Sequence, residues 1–321
     1  MAAVDAVARR YGLAGEVLVA WGDRVLLDYA YGPIAPAGSA MHRPGERWRL
    51  ASITKQVTAA LIVREYAQSG TSLDTPVDYP WTPGLTMRQL LTHHTGLANP
   101  DDSRSDAAGV PSQYKGGGSI ADTCASKAPR PGAAFAYNNC DYVVAAQAAL
   151  AVEVMPHGGR VGAESWSVVR GLRYARWKEK GVAGFVGGKP EPAFDLGRWG
   201  EAGALMGTAR AVFAFDRSLM TGKLVPPALR DGELWKPEGN GSYQALGAWV
   251  FPGQLAGCAA PKRIIQRDGE IYGVQARNYI LPDDDVSVVV FTNRSADDFP
   301  IGEVWAGKGF AYDLLSAAVG C

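Results

Sequence analysis

The strand-like segments of this chain lie at its two ends, and this placement constrains the fold more than any other feature. Residues 16–31 carry alternating apolar side chains on both sides of a turn at Gly22-Asp23, which predicts a β-hairpin. The C-terminal part predicts four more strands, at residues 246–251, 263–267, 276–281 and 286–292. The two sets predict one antiparallel sheet made from both ends of the chain.

The middle of the chain predicts helices that alternate with loops rich in glycine and proline. Helical spacing is clearest at residues 54–68 and 142–153, whereas residues 99–120 and 156–200 show little periodicity and predict long loops or short irregular pieces. Two further helices are expected near the chain ends, at residues 2–11 and 301–318. The predicted fold class is therefore α/β, with an antiparallel sheet and a mainly helical insertion.

The composition argues against two classes of partner. The 321 residues include 32 basic and 32 acidic side chains, so no surplus of positive charge points to nucleic acid or to an anionic membrane. No apolar run approaches the roughly 18 residues that a membrane-spanning helix needs. Residues 1–15 contain Asp5, Arg9 and Arg10, which is not typical of a signal peptide. We therefore expect either a cytosolic protein or one whose leader is absent from this sequence.

Four cysteines bear on the redox compartment: Cys124, Cys140, Cys258 and Cys321. None belongs to a Cys-x-x-Cys pair, and the nearby histidines are too few for a zinc site. An even number favours two disulfides and an oxidising compartment. Of the three possible connectivities, we expect the first two cysteines to pair and the last two to pair, because each pair falls within one region. Four free thiols are the alternative.

Ser52-Ile-Thr-Lys55 lies where an extended segment runs into the helix predicted at residues 54–68. A serine at the start of a helix and a lysine three residues later project from the same face. The amine can accept the serine proton, and the helix N-terminus favours negative charge on the oxygen, so this spacing predicts an activated nucleophile. The same spacing at Ser112-Gln-Tyr-Lys115 falls in a glycine-rich stretch and predicts an exposed loop instead.

A phenol and a carboxamide two residues apart form the second candidate segment, Tyr137-Asn138-Asn139. Tyr137 can exchange a proton with Ser52 and with a leaving group, provided that a nearby ammonium group stabilises its phenolate. Asn139 can hold Lys55 and a substrate carbonyl. The alternative for this segment alone is a buried tyrosine followed by a turn asparagine.

The third candidate segment is Arg267-Asp268-Gly269-Glu270, which follows a predicted strand. Arg267 can bind a substrate carboxylate with two hydrogen bonds, and Gly269 permits a close approach of the backbone to a ligand. The N–H of Glu270 can join that of Ser52 in an oxyanion hole. Taken alone, the segment also fits a hairpin turn with a surface arginine.

The adjacent histidines His93 and His94 suggest metal binding or acid–base work. No carboxylate or third ligand stands at a metal-like spacing from them. We therefore expect both histidines to be structural, and we expect no metal site.

Together these segments resemble the family of serine β-lactamases and penicillin-binding D,D-peptidases, specifically its class C-like branch, which includes family VIII-type esterases. Ser52-Ile-Thr-Lys55 resembles the family's first motif and Tyr137-Asn138-Asn139 its Tyr-x-Asn motif. Arg267-Asp268-Gly269 stands where the family has Lys-Thr-Gly or His-x-Gly. Residues 90–97 and 201–210 resemble two further blocks of the family, so motifs in the family's order cover nearly the whole chain.

The resemblance implies a β-lactamase/D,D-peptidase-like fold: an antiparallel sheet flanked by helices, with an inserted mainly helical region. One catalytic domain is expected over residues 1–321. Its sheet subdomain would come from about 1–50 and 240–321, and its helical subdomain from about 51–239. The active site is expected between the two subdomains.

The resemblance also implies a serine hydrolase that forms an acyl-enzyme on Ser52, with Lys55 and Tyr137 sharing the general-base role. No cofactor is implied, and the expected partner is a small-molecule ester, peptide or β-lactam. An esterase or D-amino-acid peptidase leads, and the alternatives are a β-lactamase or a penicillin-binding sensor that deacylates slowly. Two disulfides would place the protein in the periplasm or outside the cell.

Two departures from the family pattern affect the expected chemistry. Arg267 replaces a lysine or histidine and keeps the positive charge, but an arginine does not deprotonate and so cannot transfer a proton. Asp268 replaces the usual threonine or serine, and its charge is expected to disfavour a carboxylate-bearing substrate.

Overall fold

The structure, a computed structural model, describes residues 1–116, 120–151, 169–176, 178–239 and 241–321. The last two residues of the helix expected at 142–153 lie outside the described residues. So does much of the loop expected at 156–200. The strands are β1 Gly15–Trp21, β2 Arg24–Tyr31, β3 Trp48–Arg49, β4 Arg173–Tyr174, β5 Phe185–Val186, β6 Lys189–Pro190, β7 Leu205–Gly207, β8 Trp249–Gly253, β9 Lys262–Ile271, β10 Val274–Leu281 and β11 Val286–Thr292.

The main sheet has six antiparallel strands in the order β2-β1-β11-β10-β9-β8. The N-terminal hairpin joins the C-terminal meander where β1 pairs with β11, and Val17 lies opposite Val290 there. This is the predicted sheet built from both ends of the chain. The remaining strands form two smaller sheets. In one, β7 lies between β3 and β4, and in the other β5 pairs with β6.

Helices cover both faces of the main sheet. Within the described residues, the α-helices are α1 Ala2–Arg10, α2 Ile53–Ser69, α3 Met87–Leu91, α4 Ile120–Ala125, α5 Asn139–Ala151, α6 Gly200–Gly203, α7 Ala209–Met220, α8 Pro227–Leu229 and α9 Phe310–Val319. Short 3-10 helices lie at Pro100–Asp102, Ser112–Tyr114, Leu196–Trp199 and Val304–Ala306, and a π-helix at Arg230–Leu234. None of the described helices is both long and apolar enough to span a bilayer.

Strand alternation divides the core into two layers. Val17 and Val19 of β1 pack with α1 and α9 on one face, whereas Leu18 and Ala20 pack with α2 and α7 on the other. α2 is buried on nearly all sides, which fits a central helix without a polar stripe. Its N-terminus therefore starts from a fixed position between the sheet and the remaining helices.

Three predicted elements have one boundary that is wrong. β9 continues to Ile271, so the third candidate segment lies within a strand, and its turn comes later at Tyr272 and Gly273. α9 begins at Phe310 instead of residue 301, since Gly307 and Gly309 both adopt positive φ values that interrupt a helix. α5 begins at Asn139, three residues earlier than predicted.

Both disulfides have the predicted pairing. Cys124 of α4 bonds to Cys140 of α5, and Cys258, in the loop after β8, bonds to Cys321 at the C-terminal residue. The alternative of four free thiols is therefore wrong. The first bond holds α5 beside α4, and the second attaches the end of the chain to the edge of the main sheet.

Candidate active site

Ser52 lies at the junction between a short strand and a long helix. β3 ends at Arg49, and Ala51 then adopts a φ of 46°, in the left-handed region that residues with a Cβ rarely occupy. Ser52 follows as the N-cap of α2, and Lys55 lies in the first turn of that helix. This turn places the serine hydroxyl at the positive end of a helix dipole, on the same side as the lysine.

The hydroxyl of Ser52 lies within hydrogen-bond distance of two candidate bases. Its Oγ is 2.6 Å from the phenol oxygen of Tyr137 and 3.1 Å from Lys55 Nζ. Activation of a serine requires its hydroxyl oxygen to lie about 2.6–3.2 Å from the atom that accepts its proton. The structure thus brings together the three residues that the sequence analysis assigns to proton transfer.

Lys55 is fully buried and has two polar partners besides the serine. Nζ donates to Asn139 Oδ1 at 2.7 Å and to the carbonyl oxygen of Ala202 at 2.8 Å. Burial lowers the pKa of Lys55; Tyr137 opposes this shift, and the charge of Arg267 adds to it. The lowered pKa makes the neutral amine, which can accept a proton, more accessible than in a solvated lysine.

Tyr137 lies between the two cations of the site. Arg267 Nη2 donates to the phenol oxygen at 2.8 Å, and Lys55 Nζ lies 4.8 Å from the centre of the ring. Burial acts to raise the pKa of Tyr137, but the charges of Lys55 and Arg267 outweigh it, so the pKa falls below its usual value. A phenolate at this position can accept the proton of Ser52.

Arg267 is buried and is bound within the protein. Its Nε donates to the carbonyl oxygen of Ser52 at 2.9 Å, in addition to the bond from Nη2 to Tyr137. Its Nη1 is also buried, without a hydrogen-bond partner among the described residues. Two of its five N–H groups are therefore used within the protein, and the remaining three lie on a guanidinium that is buried.

The side chain of Asp268 lies on the opposite face of β9 from Arg267, because neighbouring residues of a strand point to opposite faces. Asp268 Oδ1 is 3.0 Å from Arg277 Nε and accepts a hydrogen bond from Gln266 at 2.9 Å. Its charge is therefore balanced outside the site, and the expected repulsion of a substrate carboxylate does not arise from it.

Gly269 brings β9 against the backbone just before the nucleophile. A Cβ at this position would lie 2.2 Å from the carbonyl oxygen of Leu50 and 3.2 Å from Ala51 Cβ, so only glycine permits this approach. β8 pairs with β9 only as far as Gln266, and no other strand among the described residues pairs with the following edge of β9. The N–H of Glu270 stays our candidate for the second oxyanion donor.

Asn139 has partners that the sequence analysis missed. Its Nδ2 donates to Tyr114 Oη at 2.9 Å and lies 3.1 Å from Asp101 Oδ2, while Tyr114 donates to the other oxygen of Asp101 at 2.5 Å. Asp101 thus adds an exposed carboxylate next to the candidate site. No sequence signal identifies Asp101, because it lies in an aperiodic loop and is 38 residues away from Asn139 in the sequence.

A buried polar network holds the loop that carries Tyr137. His93 Nδ1 lies 2.9 Å from Asp141 Oδ2 and accepts a hydrogen bond from the N–H of Asn138 at 3.3 Å. Burial lowers the pKa of His93 and raises that of Asp141, which favours the uncharged forms of both. The imidazole ring lies 4.7 Å from the ring of Tyr137, so this histidine positions the phenol.

His94 is also engaged by the protein. Its Nδ1 lies 2.7 Å from the carbonyl oxygen of Ala133, and its Nε2 lies 3.0 Å from Glu238. Among the described residues, no group of three or more histidine, cysteine or acidic side chains is arranged to hold a metal ion. In the second Ser-x-x-Lys pair, Ser112 is exposed, and Lys115 forms an ion pair with Asp106.

Solved structures share the fold over nearly the whole chain. D-amino acid amidase from Ochrobactrum anthropi SV3, complexed with L-phenylalanine, gives a TM-score of 0.76 at 17% identity, with 98% of this chain and 97% of that chain covered. The penicillin binding protein from Bacillus halodurans gives 0.69 at 19% identity, with 98% of each chain covered. D-stereospecific amidohydrolase from Streptomyces sp. gives 0.67 at 19% identity, covering 99% of this chain and 98% of that one.

At these identities the solved structures support the fold alone. A search of curated proteins finds no match to this chain. The sequence model described as Beta-lactamase, by contrast, matches residues 2–306. Together with the α/β fold, this match shows that the chain belongs to the β-lactamase family of serine hydrolases.

Proposed function

We propose that this protein hydrolyses an ester or amide bond through an acyl-enzyme on Ser52. The observation that carries the proposal is the position of Ser52 Oγ, within 2.6 Å of the phenol of Tyr137 and 3.1 Å of the amine of Lys55. In acylation, Ser52 Oγ attacks the carbonyl carbon, and the leaving atom departs with a proton. That proton comes from the serine by way of the tyrosine and the lysine.

The oxyanion of the intermediate is proposed to accept hydrogen bonds from the N–H groups of Ser52 and Glu270. The close packing of Gly269 on Leu50 supports this pairing, because it holds the two backbones together. One such donor is worth about 3 kcal/mol in transition-state stabilisation. Water then attacks the acyl carbon, with Tyr137 or Lys55 as the base that accepts its proton, and releases Ser52.

We favour substrates that do not depend on a carboxylate bound by Arg267, because its side chain is only 1% exposed and already donates to Ser52 and Tyr137. The exposed carboxylate of Asp101 favours an acyl group with a free ammonium, since it offers the opposite charge beside Asn139. A D-amino-acid amide or ester combines these features, and two of the structural neighbours are named for action on D-amino acid or D-stereospecific amide substrates. Two disulfides support a periplasmic or secreted location.

Steady-state hydrolysis tests the proposal on three substrates: a p-nitrophenyl ester, D-phenylalanine amide and a β-lactam. We expect turnover of the ester and the amide, and its loss in Ser52→Ala with an unchanged circular dichroism spectrum. Turnover of the β-lactam alone would favour a β-lactamase, and a stable lactam adduct without turnover would favour a sensor. Turnover of the ester or amide that persists in Ser52→Ala would refute the assignment of the nucleophile.

A further inference from the structure

An exposed aromatic groove lies beside the candidate active site. Its walls include Phe135, Tyr243, Trp249 and Trp305, and its volume is about 320 Å³. This volume is at the lower end of the range of about 300–1,000 Å³ that is typical of small-molecule sites. Phe135 is 47% exposed, Tyr243 47% and Trp305 53%. Large aromatic side chains that are exposed together in one concavity usually indicate a binding site.

Ring contacts connect this groove with two residues that contact Tyr137. The ring of Trp249 lies 4.9 Å from the guanidinium carbon of Arg267, which donates to the phenol of Tyr137. On the other wall, the ring of Phe135 lies 5.9 Å from that of His93, which in turn lies 4.7 Å from the ring of Tyr137. Two walls of the groove are therefore each separated from the tyrosine by a single residue, Arg267 on the Trp249 side and His93 on the Phe135 side.

The position of the tyrosine fixes which part of a substrate the groove would receive. The carbonyl oxygen is expected to point towards the N–H groups of Ser52 and Glu270, beyond Arg267 along β9. The proton for the departing atom comes from Tyr137, so that atom must lie on the tyrosine side of the scissile bond. The groove is linked to Tyr137 through Arg267 and His93, whereas Asp101 contacts Asn139, which leaves Asp101 for the acyl group.

We propose that the groove formed by Phe135, Tyr243, Trp249 and Trp305 is a leaving-group subsite that selects esters or amides whose alcohol or amine carries an aromatic ring. This inference rests on the proposed function and specifies its substrate. The bond from Ser52 Oγ to the carbonyl carbon forms, the bond from that carbon to the alcohol oxygen or amine nitrogen breaks, and the serine proton leaves on the aromatic product. The ring gains stacking or edge contacts with the walls.

The test compares methyl and benzyl esters of one acid, because both give the same acyl-enzyme and their alcohols have similar acidity. A butyrate pair and a D-alanine pair are used, and release of acid is followed by titration. We expect kcat/KM to be about tenfold higher for benzyl than for methyl esters in the unmodified protein. Trp305→Ala and Tyr243→Ala are expected to reduce this benzyl-to-methyl ratio by about threefold to tenfold.

Trp21→Ala is the matched control, because Trp21 is a tryptophan that is 61% exposed. It lies at the end of β1, and three strands separate β1 from β8 in the sheet. Its benzyl-to-methyl ratio should equal that of the unmodified protein. Rapid-quench measurements separate the two chemical steps, and the groove variants should slow acylation by the benzyl ester more than hydrolysis of the shared acyl-enzyme. General damage to the fold would slow both steps alike.

The outcomes distinguish the subsite from the proposed function. Hydrolysis of both esters with equal kcat/KM, or a ratio that Trp305→Ala and Tyr243→Ala leave unchanged, would overturn the subsite and leave the serine hydrolase assignment intact. Absence of hydrolysis for every ester and for D-phenylalanine amide would overturn the proposed function, and the subsite with it.

Discussion

At the scale of single residues, Arg267 is the departure from the family pattern with the clearest consequence. It keeps a cation beside the phenol of Tyr137, yet it cannot give or take a proton. Its bonds to Ser52 and Tyr137 also tie the nucleophile to the candidate base. In the proposed mechanism, proton transfer is left to Tyr137 and Lys55, and Arg267 acts by lowering their pKa values.

Replacing Arg267 with glutamine should move the acid limb of the pH profile to higher pH. The base works in its deprotonated form, and the charge of Arg267 lowers the pKa of both Tyr137 and Lys55. Removing that charge raises both values, so more alkaline conditions are needed to form the base. The profile of kcat/KM for a p-nitrophenyl ester measures this shift, and Arg267→Lys, which keeps a charge, should move the limb less. A limb that stays in place or moves to lower pH would contradict the account.

Asp101 gives a second prediction at this scale. If it binds a substrate ammonium, D-phenylalanine p-nitroanilide should be hydrolysed about tenfold better, by kcat/KM, than its N-acetyl derivative. Asp101→Asn should abolish this preference, and Asp101→Glu, which keeps the charge, should retain part of it. A preference for the free amine that survives in Asp101→Asn would show that Asp101 does not bind the ammonium.

At the scale of elements, the periodic segments were predictable and the irregular contacts were not. Runs of β-branched and aromatic residues located the strands β10 and β11, which are buried on both faces, and alternation located the hairpin of β1 and β2. The end of β9 was not predictable from the sequence, because a glycine such as Gly269 usually indicates a turn. The reason for a glycine inside this strand is its close approach to Leu50, which only the fold shows. The pairing of His93 with Asp141 likewise depends on two segments that only the fold brings together.

Gly269→Ala should impair both the stability and the activity of the protein. The added Cβ would lie 2.2 Å from a backbone oxygen of Leu50, which no side-chain rotation can relieve. The cost of such overpacking is about 1–3 kcal/mol in the free energy of unfolding, and the shift of β9 should lower kcat by displacing the oxyanion donor. Urea unfolding and ester hydrolysis measure the two effects.

Gly232→Ala is the control, because a Cβ there meets no atom within 4 Å and the residue has no positive φ. It should leave stability and kcat close to those of the unmodified protein. Equal behaviour of the two alanine variants would contradict the close approach of β9 to the segment before Ser52.

At the scale of the whole molecule, the two chain ends form one sheet, and the disulfide between Cys258 and Cys321 joins the C-terminal residue to the loop after β8 of that sheet. Cys258 and Cys321 are 63 residues apart in sequence, whereas Cys124 and Cys140 are 16 apart. A crosslink over a longer segment removes more entropy from the unfolded chain. The proposed division into a sheet subdomain and a helical subdomain, with the site between them, stays a prediction.

Removing the longer-range disulfide should therefore cost more stability than removing the shorter-range one. We expect replacement of both Cys258 and Cys321 by serine to lower the free energy of unfolding by about 4 kcal/mol. The loss on replacing both Cys124 and Cys140 should be smaller than this by about 1 kcal/mol. Guanidinium unfolding of both variants under oxidising conditions gives the comparison. The reverse order would contradict the entropic explanation.

Acylation of Ser52 is the central claim, and intact-protein mass spectrometry tests it most directly. The protein is incubated with a p-nitrophenyl ester and quenched in acid, and the adduct is located by peptide mapping. Ser112→Ala is the matched control, because Ser112 and Lys115 repeat the same spacing and both residues are exposed. We predict one acyl group on the unmodified protein and on Ser112→Ala, mapped to Ser52, and none on Ser52→Ala. An adduct that persists in Ser52→Ala, or one that maps to Ser112, would contradict the account.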